Sequence, residues 1–247
     1  MLSFENFKFI QADSKDLKNT IYQLRYKVYV EEFGFLKKED NPDGYEKDEY
    51  DENSIHFAAL DEKNEVIGTV RLVLNSEKGL PIEHVVNTKF IGDKPSSDKI
   101  AEISRLAVSR NFRRRKENGQ FGVESYIKKS EGGILPNKRP ASDQQQKRKK
   151  PVIILGLYQI LYHASKRMGI THWYMITEEK LFHALKEYGF IFYQIGEPIQ
   201  YHGTRTPYLG IILDIEQKLI KEKPEFLHML LMGLEKKYHP NHPPIPQ

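Results

Sequence analysis

Residues 100–108 read IAEISRLAV, and their alternating apolar positions predict a strand. The interior of that strand carries Glu102, Ser104 and Arg105. Burying an unpaired charge is costly, so Glu102 and Arg105 both need partners. Successive side chains in a strand point to opposite faces, so Glu102 and Ser104 share one face and Arg105 falls on the other. Only a bulge, or a parting of the sheet at that point, brings Arg105 to the site that Glu102 faces.

Working outward, Val66 to Leu74 is rich in β-branched residues and carries Arg71 in its interior. It pairs with Ile55 to Leu60 through turn residues Asp61 to Asn64, which makes a hairpin. Upstream, Phe7, Phe9 and Ile10 predict a short first strand. Asp13 or Ser14 then caps a helix from about Lys15 to Val30, with Leu17, Ile21, Leu24 and Val28 at helical spacing. Lys37 to Glu52 is an acidic loop, turned by Pro42 and Gly44. Downstream, residues 111–150 contain six Gly or Pro and a polar run, which predicts a long insertion. Order resumes with a helix from Val152 to Met168 closed by Gly169, a strand at His172 to Ile176 and a helix at Glu179 to Tyr188. Strands at Phe190 to Ile195 and Tyr208 to Leu213 and a helix at Pro224 to Lys237 complete the pattern. Helices on both sides of a mainly antiparallel sheet make an α+β sandwich.

The chain has 247 residues, which fits one domain with an insertion over residues 1–238 and a proline-rich tail at 239–247. With 39% hydrophobic residues, including 13 Phe and 14 Tyr, it has the material for a folded core. The formal net charge of +4 is too small to argue for nucleic acid. There is no cysteine, so disulfides, thiolate chemistry and Cys-based zinc sites are excluded. The nine His show no metal-ligand spacing, and residues 39–50 miss a calcium loop because Tyr50 stands where a bidentate carboxylate is needed. No apolar run approaches the roughly 20 residues of a membrane helix. Met1 to Ile10 lacks the apolar block of a signal peptide, so a cytoplasmic location is expected.

The charged residues recur in an informative order: Arg25-x3-Tyr29-x5-Phe35, Asp48-x2-Asp51, Arg71, and Glu102-x2-Arg105. Taken singly, each has an ordinary reading as a strand ion pair, a solvated loop acid or a surface helix residue. Taken together, the order and spacing resemble the acyl-homoserine-lactone (autoinducer) synthases, which carry Arg-x3-Phe-x5-Trp, two Asp three apart, a strand Arg and Glu-x-x-Arg. Here Tyr29 replaces Phe and Phe35 replaces Trp. The C-terminal half, with Tyr201 to Tyr208 after the penultimate strand, is similar to acyltransferases of the N-acyl amino acid synthase type, including those found alongside exosortase systems. Within that segment His202 and Arg205 either line the acceptor or acyl pocket or form a turn.

The resemblance implies a GNAT fold, splayed where the pantetheine arm lies, and transfer of a fatty acyl group from a carrier thioester to the amine of an amino acid or related small molecule. Glu102 is then the candidate base, with Ser104 and Arg105 beside it. Arg25, Tyr29, Phe35, Asp48, Asp51 and Arg71 are the candidate substrate-binding residues, Asp48 and Asp51 either neutralising and positioning Arg25, Arg71 and Arg105 or holding the acceptor's ammonium group. Arg25 or Arg71 could pair bidentately with an acceptor carboxylate. Leu106 and Val108 lie along the pantetheine arm. No permanently bound cofactor is implied. An autoinducer synthase using S-adenosylmethionine, and a non-catalytic binding module of the same fold, are the alternatives.

The GNAT pyrophosphate turn needs glycines at fixed spacing, and the corresponding place here reads Arg113-Arg114-Arg115-Lys116-Glu117-Asn118-Gly119. That departure favours acyl-carrier protein over coenzyme A as donor. Arg110, Arg113, Arg114, Arg115, Lys128, Lys129, Lys138, Arg139 and Lys147 to Lys150 would face an acidic carrier. The distal Lys147 to Lys150 run lacks interleaved aromatics, and no helix-turn-helix or zinc pattern accompanies it, which argues against nucleic acid.

Overall fold

The computed structural model describes residues 2–4, 6–87, 89–112, 152–201 and 203–240. The chain begins with a hairpin of β1 (Leu2–Phe4) and β2 (Phe7–Gln11), so the predicted first strand has a partner before it. Ser14 caps α1 (Lys15–Tyr26) by accepting the Leu17 N–H at 3.2 Å. The helix then widens into a π-helical turn, Lys27–Glu32, a rare form that often marks functional sites.

The sheet continues through β3 (Ser54–Leu60), β4 (Val66–Leu74), β5 (Ile100–Val108), β6 (His172–Thr177), β7 (Tyr193–Gln194), β8 (Ile199–Gln200) and β9 (Thr204–Ile211). Among the described residues the order is β1-β2-β3-β4-β5-β6-β9-β7, with β8 beside β9. Each pairing is antiparallel except that of β5 with β6. That parallel ladder runs only from Ile100↔His172 to Ile103↔Met175. Beyond it β5 continues to Val108, while β6 ends at Thr177, paired with β9 on its other side along its whole length. The sheet is therefore open between β5 and β6 from Ser104 onward.

The helices are α2 (Pro81–Val85), α3 (Val152–Met168), α4 (Glu179–Glu187), α5 (Ile212–Glu222) and α6 (Pro224–Leu231). Gly169, at φ +71°, ends α3 where the sequence placed its stop. Three expectations need correction. The strand expected at Phe190 to Ile195 shrinks to Tyr193–Gln194, because Phe190 and Phe192 turn into the core. The last strand ends at Ile211, and Ile212, Ile215 and Leu219 form the buried stripe of α5 instead. The final helix ends at Leu231, just before Gly233 at φ +83°.

Strand alternation sends Phe9, Phe57, Leu72, Ile103 and Trp173 to one face, where they pack on Leu157, Tyr158 and Leu161 of α3. The other face carries Ala58 under Ile21 of α1, and Ile100 and Tyr174 under Leu80 and Ile82. Gly156 lets α3 approach the sheet: a Cβ there would overlap the Phe9 ring. Gly156→Ala is expected to cost about 1–3 kcal/mol in urea unfolding. Combining it with Phe9→Leu should cost less than the sum of the two single changes.

Candidate active site

The site begins at an irregularity in β5. Thr69 pairs with Ala107, but Arg71 pairs with Ser104, so Arg105 and Leu106 together oppose Val70. Arg105 takes φ 52°, a left-handed conformation that costs a non-glycine residue roughly 1–2 kcal/mol. The slip of phase places Leu106 on the α3 face with Ile103 and frees Arg105 to reach the α1 face. Of the two ways open to Arg105 from its spacing to Glu102, a bulge or a parting of the sheet, the bulge is the one that turns it. It is held in place by the Tyr29 hydroxyl, which donates to the Leu106 carbonyl at 2.9 Å. Burial pushes the Tyr29 phenol up to about 12, so it remains a donor.

Under the bulge, three guanidiniums meet three carboxylates. Arg25 is fully enclosed and donates to Asp51 at 2.7 and 3.1 Å and to Glu46. Arg71 donates to both oxygens of Asp48 at 2.6 and 3.0 Å, to Asp51 at 2.8 Å and to the Ser104 hydroxyl at 3.0 Å. Arg105 donates to Glu46 at 3.0 Å and to Asp48 at 2.8 Å. Burial opposes charge on Glu46, Asp48 and Asp51, but the neighbouring arginines win and hold each carboxyl below its ordinary value. Burial opposes charge on Arg25 and Arg105 too, and the carboxylates keep both protonated. His56 stands behind Asp51, 3.6 Å away, and burial lowers it to about 4, so it is neutral.

Glu46 was not singled out in the sequence, where it is one acid among many in the loop 37–52. Its place is fixed by its own N–H, which donates to the Tyr22 carbonyl at 3.1 Å, and by Gly44 at φ +74°. The same loop is locked by the Asp48 N–H to Asp51 at 2.7 Å and the Tyr50 N–H to Asp48 at 3.0 Å.

Glu102 stands apart from the balanced cluster. It is 4% exposed, and its carboxylate accepts the Ile82 N–H at 2.7 Å. Burial raises its carboxyl to about 7, against the pull of that hydrogen bond and of Arg71 and Arg105. The acidic partners of the arginines are already supplied by Glu46, Asp48 and Asp51, so Glu102 can gain and lose a proton without unbalancing the cluster.

These groups face a cavity of about 120 Å³ at the opening between β5 and β6. Of the residues expected in the site, Glu102, Ser104, Arg105, Leu106, Tyr29, Phe35, Asp48 and Arg71 line it. Arg25, expected to bind substrate, lies behind its wall with Asp51, which pairs with Arg25 and Arg71 in the positioning role that was one of its two expected readings. Val108 is buried in the core on the α3 face and is not in the lining. Arg113, Arg114, Arg115, the rest of the basic insertion and His202 lie outside the described residues. The lining also includes Arg205, for which the sequence left a place in the pocket or in a turn open, and Tyr50, Tyr158 and Tyr201, which no local motif separated from ordinary core or turn residues.

Comparison with known families and structures follows the same geometry. A family model described as an acetyltransferase (GNAT) domain matches residues 24–118, the segment that contains the bulge and the whole charged cluster. The fold is of GNAT type. No curated protein matches the sequence. Among solved structures of similar fold, TofI in a ternary complex with an inhibitor and MTA is 17% identical, with a TM-score of 0.56 over 90% of this chain and 100% of that one. BjaI, a CoA-dependent acyl-homoserine lactone synthase with SAM and isopentyl-CoA, is 21% identical, with a TM-score of 0.56 over 90% of this chain and 84% of that one. FeeM, an N-acyl amino acid synthase from uncultured soil microbes, is 11% identical, with a TM-score of 0.52 over 86% of this chain and 94% of that one. Among the described residues, no helix of this GNAT-type fold is long and apolar enough to cross a membrane.

Proposed function

We propose that the chain is an N-acyltransferase that moves an acyl group from a pantetheine thioester to the amine of an amino acid or related small molecule. The observation that carries this reading is the opening of the sheet after Ile103, directly beside Glu102. An extended pantetheine arm fits along the strand edge from Ser104 to Leu106, where β5 has no ladder partner on its β6 side among the described residues. The amine nitrogen attacks the thioester carbonyl carbon, and Glu102 takes the proton that the nitrogen must lose. The C–N bond forms, the C–S bond breaks, and the sulfur leaves as a thiolate that is then protonated. A carboxyl near 7 is matched to this task at neutral pH, because it is ionised often enough and is still basic enough to accept the proton.

The basic stretch from Arg110 onward and the missing glycine spacing support a carrier protein as the donor's vehicle. Phe35 in place of the family's Trp supports an amino acid over S-adenosylmethionine as acceptor. Mass spectrometry of organic extracts from cells overexpressing the protein tests the reading, and acyl amino acids are the expected products. Acyl lactones would replace the acceptor by S-adenosylmethionine. No acylated product in extracts, and none from purified protein with acyl-carrier protein or acyl-CoA, would overturn the transferase reading.

A further inference from the structure

We infer that Arg205 binds the carboxylate of the acceptor, which restricts the acceptor class to amines that carry a free carboxylate. The inference rests on the transferase reading above and identifies the side chain that selects its acceptor.

Sheet register places Arg205 with the base. Glu102, Tyr174 and Leu209 form one row across β5, β6 and β9. Arg205 lies four residues from Leu209 on β9, so it shares the face of Glu102 and stands two pleats nearer the end where β5 and β6 part. Both side chains line the same cavity.

The other cavity arginines are committed elsewhere. Arg71 and Arg105 hold carboxylates of the chain at 2.6 to 3.0 Å, and removing either would leave buried acids short of a cation. Arg25, a sequence candidate for this role, is enclosed behind the wall. Arg205 is held differently. Its guanidinium lies over the Phe35 ring, 5.4 Å from the centroid. Its ion pair with Glu178 is longer, at 3.4 Å, and Glu178 is a quarter exposed. Stacking on an aromatic ring fixes the plane of a guanidinium and leaves its edge to hydrogen-bond a carboxylate. Glu178 can move to solvent when a substrate carboxylate takes its place. An acceptor bound with its amine at Glu102 and its carboxylate at Arg205 crosses the mouth of the opening where the thioester is presented.

The test uses a series of straight-chain acyl-pantetheine thioesters as donors. The acceptors are the common L-amino acids and the matching α-carboxamides, which keep the amine and lose the negative charge. The wild-type protein is expected to favour acids over amides in kcat/KM. Arg205→Gln should lower that ratio by about 10- to 100-fold, the worth of a charge-assisted hydrogen bond. Arg205→Lys should keep part of it. Glu178→Gln, which removes one anion that pairs with Arg205, should lower KM for the acids, and it serves as the test if Arg205→Gln does not fold.

An acid-to-amide ratio that is unchanged in Arg205→Gln overturns the inference and leaves the transferase reading standing. If the ratio is unchanged but KM rises for the 4′-phosphorylated donor relative to the dephosphorylated one, the anion at Arg205 is the donor's phosphate and the inference is likewise overturned. Wild-type protein that acylates no amine at all overturns both.

Discussion

Glu102→Gln should abolish most of the acyl transfer, lowering the rate about 10²- to 10⁴-fold at pH 7.5. The wild-type rate should rise with pH through about 7 as Glu102 loses its proton, and the variant should lack that rise. Stability should move the other way. A carboxyl raised in the folded state holds its proton more tightly there than in the unfolded chain. Its contribution is complete below the ordinary glutamate range and is lost as pH rises through about 7. Glutamine stays neutral and can still accept the Ile82 N–H, so the variant should be more stable than wild type at pH 8, by on the order of 3 kcal/mol. At pH 4 the two should unfold at the same urea concentration. A variant that keeps a tenth of the activity, or that loses stability at pH 8, would remove Glu102 from the role of base.

The second large effect concerns the fold. Arg25→Ala should cost about 3–5 kcal/mol in urea unfolding at neutral pH, because Glu46 and Asp51 would stay buried without their main cation. The gap should depend on pH. Arginine holds both carboxyls below their ordinary values, so its stabilisation is present above the ordinary carboxylate range and is lost as pH falls through the depressed values. Wild type and variant should therefore converge in acid. A loss below about 1 kcal/mol at neutral pH, the range of an exposed ion pair, would show that the cluster tolerates a missing cation.

Much of this site was legible in the sequence because charges inside strands are informative. Arg71 and Arg105 could not be buried without partners, and Asp48 and Asp51 were in the right order to supply them. A bulge or a parting of the sheet followed from the same logic, since three-residue spacing and a shared site are incompatible in a regular strand, and only the folded register distinguishes the two. Glu46 was not legible, because an acid in an acidic loop has no periodicity to mark it and only the folded loop selects which acid turns inward. Helix α5 was hidden for a different reason: Tyr208 to Leu213 is an unbroken apolar run, which fits a strand as well as the start of a buried helix. The register of β9 then brought Arg205 to the cavity that Glu102 lines, a relation that local spacing does not carry.

The opening after Ile103 also bears on how the protein avoids its own kind. An unpaired strand edge on a surface is a template for another chain, and proteins blunt such edges to escape aggregation. Here the polar edge of β5 lies in the middle of the sheet, with Tyr29 and Phe35 on one side and Tyr158 and Leu181 on the other. A slender, flexible guest can reach it, whereas a second polypeptide would have to force the two halves of the sheet apart. The backbone groups left without a ladder partner at this opening are thereby kept from templating fibrils.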